Sequence, residues 1–137
     1  MNGKKTVSVI LIFVVFSFVA YKFYNKPHVD VKKTSPNFKI NAEKLFNEFS
    51  LNETNANEKY LDKIIEVEGE ILDIILEDGK GVVSLKTRDD FASVMCYLSE
   101  NSSKSIQKLS VGNIITLKGI CTGYLMDVVI VKSEILN

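Results

Sequence analysis

The chain has 137 residues, 46% of them hydrophobic and 25% charged, enough for one folded domain beyond any anchor and not for two. Its zero net charge hides a split: residues 1–40 carry seven Lys against one acid, residues 41–137 ten bases against sixteen acids. An acidic folded part is a poor polyanion binder, since phosphate contacts dominate nucleic-acid affinity, and two Cys with a single His exclude a structural zinc site.

Residues 7–20 (VSVILIFVVFSFVA) carry no charge. With Thr6 and the aromatic end at Tyr21, Phe23 and Tyr24 they are long enough to span a bilayer as a helix. Residues 1–24 are therefore expected to be a signal anchor, with Lys22 snorkelling and the tyrosines at the interface. A cleaved signal is the rival, although Phe18 spoils the small-x-small pattern before a cut after Ala20. The basic residues conflict on orientation. Lys22, Lys26, Lys32 and Lys33 outnumber Lys4 and Lys5, which favours a cytoplasmic domain; Lys4-Lys5 before an apolar run is also the layout of an export signal. The expectation is an extracytoplasmic domain, on the periplasmic side of a bacterial inner membrane. Residues 25–41 are polar, hold both prolines and read as an extended linker, with His28 a solvated linker residue.

The folded domain is expected at 42–137, helices over 42–61 and strands over 62–137. Leu45, Phe46 and Phe49 have helical spacing, with Asn41 as N-cap. A second helix, about 53–60, puts Ala56 and Tyr60 on one face. Ile65, Val67 and Ile71 alternate with Glu66, Glu68 and Glu70, a strand with one buried and one wet face running over about 62–76. Gly69 on its apolar face suggests a bulge or tight bend. Asp78-Gly79 marks a hairpin to a second strand at 82–86. A third strand is expected at 91–98, a helix at 101–108 capped by Ser102 or Ser103, and two more strands at 114–121 and 127–135. The fold class is thus mainly β: five short strands with a helix between the third and fourth, the order of a Greek-key OB barrel, behind a helical preface and one transmembrane helix. An up-and-down barrel or an open sheet remains possible on pattern alone.

The chain resembles the tRNA-anti-like family of OB-fold proteins, small exported or membrane-anchored bacterial proteins. The matching residues begin with Ala42, Leu45, Phe49, Asn52-Glu53, Ala56 and Lys59-Tyr60. They continue with Lys63, Ile65-Glu66-Val67, Gly69, Val94, Cys96, Lys108-Leu109 and Gly112. Lys118-Gly119, Cys121-Thr122-Gly123 and Asp127-Val128-Val129 complete them, over residues 21–137. The resemblance implies an OB fold and an envelope location; it implies no activity. The chain lacks the lipid-attachment Cys of the lipoprotein members, which leaves the helix as anchor.

Few residues suggest chemistry. Cys96 and Cys121 are either buried free thiols or, in an oxidising compartment, a disulfide between strands. Glu66, Glu68 and Glu70 read as a solvated face rather than a cation site or acid–base pair. Phe91, Tyr97 and Tyr124 are candidate stacking platforms, with Arg88 and Lys118 nearby as candidate ligand-face cations. No catalytic constellation, cofactor motif or metal set is apparent, so no enzyme is expected. The expectation is a membrane-anchored, non-catalytic binding module for an envelope protein, peptide or glycan; the alternative is a membrane-tethered single-stranded nucleic-acid or tRNA binder.

Overall fold

The computed structural model describes residues 3–25 and 29–137; His28 lies outside the described residues. Helix α1 (Gly3–Tyr24) contains Thr6–Tyr24, a stretch of mean hydropathy 2.2 with none of it buried. A helix that is apolar all round and unburied has the length and composition to cross a membrane.

The rest of the chain forms β1 (Phe38–Asn41), α2 (Ala42–Leu51), α3 (Glu53–Tyr60), β2 (Ile64–Glu77), β3 (Lys80–Lys86), β4 (Ser93–Leu98), α4 (Glu100–Ser103), a 3-10 turn (Ile106–Lys108), β5 (Ile114–Tyr124) and β6 (Val128–Ile135). The sheet runs β1-β2-β3-β4-β6-β5, and β2 also pairs with β5, which closes a five-stranded ring. One long strand serves both seams: Ile64 to Glu70 pair with β5, and Ile71 to Glu77 with β3. The pairing slips between Ile71 and Asp73, so the bulge expected at Gly69 sits at Leu72. Gly69 is needed for a different reason: a Cβ there would stand 3.0 Å from Ala42 Cβ and 3.2 Å from Leu85 Cβ. β4 and β6 are parallel and the other ring neighbours antiparallel. This is the Greek-key OB barrel. The hairpin between β2 and β3 is tight because Asp78 (φ 51°) and Gly79 (φ 75°) both take left-handed backbone, as a type I′ turn requires.

Each end of the barrel is plugged. At one end α2 buries Leu45, Phe46 and Phe49 against the inward Val67, Leu85 and Val94. Asn41 starts that helix by accepting the Lys44 N–H at 2.8 Å, which satisfies a donor the first turn would leave orphaned. Asn52 does the same for α3, accepting from Asn55 N at 3.1 Å. At the other end Ile106 and Leu98 fill the space above Gly81.

Two expectations change here. The single helix at 101–108 is instead α4 and a separate 3-10 turn, and its cap is Ser99, whose Oγ accepts the Ser102 N–H. Ser102 and Ser103 are spent on the barrel: Ser102 Oγ donates to Glu134 Oε2 at 2.8 Å, and Ser103 Oγ accepts from Gly81 N at 2.9 Å. Much of 25–41 is also not an extended linker. Asp30 nucleates a turn by accepting from Lys32 N and Lys33 N, Val31 is buried, Asn37 exchanges two hydrogen bonds with Ile64, and β1 lies parallel on the start of β2.

Candidate binding face

Strand alternation sends Val83, Leu85, Val94 and Cys96 into the barrel, all fully buried, and turns their neighbours outward. Two rows of side chains result. Ile75 on β2, Val82 on β3 and Tyr97 on β4 are in register; Asp73, Ser84, Met95 and Val129 on β6 form the next row. Tyr97 and Ile75 are each a little under half exposed. A cleft of about 600 Å³ opens beside Tyr97, floored by the Asp78–Gly79 hairpin and walled by Glu100, Ser103 and Lys104.

The far end of this face carries an apolar rim from two loops. Asp127 accepts both the backbone N–H (2.6 Å) and the hydroxyl (2.9 Å) of Ser93. That ties the loop before β4 to the hairpin before β6. The first loop is shaped by Thr87, whose hydroxyl donates to Ala92 O, and by Asp89, which accepts the Phe91 N–H. These bonds hold Phe91 out at 89% exposure, while the hairpin presents Leu125 (90%) and Met126 (69%). A second cleft, about 520 Å³, runs from this hairpin to α3 and is lined by Glu53, Asn57, Leu61, Thr122 and Leu125.

The five residues expected on a ligand face divide. Phe91 and Tyr97 are exposed on the β3–β4 side. Arg88 is exposed, but its Nε donates to Glu43 Oε2 at 3.1 Å, against α2. Tyr124 is a packing residue, stacked on Phe49 at 5.9 Å and edge-on to Phe46 at 6.0 Å. Lys118 lies on the opposite side, 7% exposed, its Nζ donating to the carbonyls of Lys32 and Thr34 at 3.0 Å each. Sequence reasoning missed Leu125 and Met126, although two large apolar residues inside a hairpin turn are a visible signal. It also missed Met95 and Ile75, which only the register reveals.

The electrostatics are mixed. Lys86 reaches Glu70 at 3.8 Å, and Asp73, Asp78 and Glu100 interleave with Lys80 and Lys104, so no basic groove forms. The glutamates of β2 are partly neutralised, Glu66 by Lys39 at 3.4 Å. Among the described residues no group of three metal-ligating side chains comes together.

Cys96 and Cys121 are free and buried. Both pair in register with Ile130 of β6, one from each side, so a whole strand separates their backbones. Two strand spacings are about 9–10 Å, beyond the Cα separation a disulfide allows. The disulfide alternative thus fails on topology. Burial pushes both thiols above the ordinary range, Cys96 most; neither is an activated nucleophile.

Comparison with known proteins agrees with this architecture. A proposed nucleic-acid-binding lipoprotein from Klebsiella pneumoniae subsp. pneumoniae superposes over 82% of this chain and 100% of its own, with 18% identity and a TM-score of 0.62. The Stn1–Ten1 complex of S. pombe matches over 54% of this chain and 58% of its own (20% identity, TM-score 0.42). OBody AM1L10, solved bound to hen egg-white lysozyme, matches over 58% and 83% (21%, 0.46). No curated protein matches the chain. The tRNA_anti-like family model matches residues 1–135, nearly the whole length, and the chain belongs to that family.

Proposed function

We propose that the chain is a membrane-anchored, non-catalytic OB module of the cell envelope that binds a protein or peptide segment across β3 and β4. The carrying observation is that one face bears the half-exposed Tyr97 row at one end and the exposed apolar rim of Phe91, Leu125 and Met126 at the other. Exposed apolar side chains grouped among polar ones mark interaction surfaces, and aromatic and Met residues are the usual anchors there. Balanced charge suits a protein surface better than a phosphate backbone. Glycans share this preference for aromatic faces and remain within the reading. The anchor is α1, retained as a membrane span, with the barrel on the extracytoplasmic side.

The test places a photo-crosslinking amino acid at Tyr97 in cells, with Glu58 on α3 as control. Discrete higher-mass adducts from position 97 alone, abolished by Leu125→Asp, are expected. Equal adducts at both positions, or adducts that survive Leu125→Asp, would sink the assignment. One observation favours a second reading, single-stranded nucleic acid: the Klebsiella protein of the same fold is described as nucleic-acid-binding, and OB barrels stack bases on exposed rings such as Tyr97 and Phe91. Salt-dependent binding of a labelled oligonucleotide that Tyr97→Ala removes would establish it.

A further inference from the structure

The segment 30–34 crosses the outside of β5, and its fixation is over-determined. Lys118 is 7% exposed although it is a Lys on the outer side of its strand. Two of its three donors go to the carbonyls of Lys32 and Thr34, and its register partners are Glu66 on β2 and Glu134 on β6. A lysine held with backbone carbonyls and flanked by carboxylates is stable under cover only while that cover is present. Val31 is buried beside it at 4% exposure, and the Asp30 turn holds the segment in shape, Thr34 Oγ1 donating to Asp30 O at 2.8 Å. The chain is therefore pinned to the β5 side of the barrel from about residue 30 onward.

Helix α1 ends at Tyr24. Only five peptide links join Asn25 to Asp30, a reach of at most about 18 Å. In the ring the neighbours of β5 are β2 and β6, so β3 and β4 lie across the barrel from it. We infer that the Lys118-clamped strap fixes the barrel's orientation at the bilayer, with the β5 side against the headgroup layer and the β3–β4 face turned away from the membrane. Lys32 and Lys33, both exposed on the strap, then face anionic headgroups. This rests on the reading that α1 remains in the membrane.

The test uses the full chain in nanodiscs containing lipid with a nitroxide on its headgroup. The buried native thiols leave an introduced cysteine as the reactive one, so a fluorophore goes on Thr116→Cys (β5 side) or Tyr97→Cys (opposite face). Expected is several-fold stronger quenching at 116 than at 97. A flexible Gly-Ser insert of about fifteen residues after Val29, which adds roughly 20 Å of reach, leaves the fold untouched and is expected to erase the difference. Lys118→Met and Val31→Asp, each checked for an intact circular-dichroism spectrum, are expected to reduce it. Equal quenching at the two sites in the parent chain, or a difference that survives the insert, overturns the orientation. Failure of the chain to co-purify with nanodiscs overturns the anchor instead, and the two failures are read separately.

Discussion

Gly119 has no room for a side chain. A Cβ there would stand 2.5 Å from Ile130 Cγ2 and 2.8 Å from the carbonyl oxygen of Val131, and the backbone of β6 cannot yield as a flexible side chain would. Gly119→Ala is expected to lower stability by about 3 kcal/mol, read as a shift of the urea midpoint; an unchanged midpoint would mean that β5 and β6 separate freely. The buried thiols make a pH prediction. Burial raises both above the ordinary thiol value, so the folded chain keeps protons that the unfolded chain releases. Their contribution is whole below about pH 8.5 and is lost above it, by up to about 1.4 kcal/mol per pH unit for each thiol. Alkaline unfolding should steepen there, and the double variant Cys96→Ala, Cys121→Ala should remove the added slope. Glu48 acts at the other end of the scale. Burial pushes its carboxyl up, but hydrogen bonds from Lys59 and Tyr60, at 2.9 and 2.7 Å, outweigh that and hold it below the usual range. The stability it adds is present above about pH 4.3 and is lost as pH falls through the lowered value.

Among the elements, α2 does the most for the barrel, because it closes one end and carries Leu45, Phe46 and Phe49 into the core. Leu45 is fully buried, so Leu45→Ala is expected to cost about 3 kcal/mol and to loosen the end under Phe91 and Tyr124; a melting point within a degree of the parent would show that this end relaxes shut. This helix was readable because its apolar positions and its Asn41 cap are local signals. The alternation of Ile65, Val67 and Ile71 and the Asp78-Gly79 turn were equally local, which is why the OB order emerged from pattern. β1 was not readable. Phe38-Lys39-Ile40-Asn41 is a short stretch just after Pro36, and its partner lies twenty-seven positions on, Phe38 against Ile65. Lys118 and Tyr124 misled for a related reason. A Lys at an outward strand position, or a Tyr in an expected turn, looks solvated until a distant segment, the strap or α2, is known to cover it. Phe91 and Tyr97 stay exposed because no distant segment among the described residues covers them.

At the scale of the whole molecule, our proposal of a protein surface rather than a phosphate backbone rests on charge. Residues 41–137 carry six more acids than bases, so the barrel as a body repels polyanions. Locally, Lys86 pairs with Glu70 and Arg88 with Glu43, and Lys80 and Lys104 are the cations lining the Tyr97 cleft. Two phosphate contacts give a salt slope of about −1.4, from about −0.7 per contact on a single strand. Affinity for an oligothymidine should then fall less than about tenfold between 50 and 200 mM salt, and any binding seen should depend on stacking. Fluorescence anisotropy across that range tests this on the full chain in detergent, with Tyr97→Ala and Lys80→Ala alongside. A slope of about −4 or steeper would mean that five or more phosphates are gripped, by cations outside this face. Exposed lysines away from this face, Lys44, Lys63, Lys108 and Lys132 together with those of residues 1–40, would then supply them, which would move the ligand off the β3–β4 face. A shallow slope with loss of binding in Tyr97→Ala keeps the ligand on the aromatic row, where side chains rather than phosphates set the affinity.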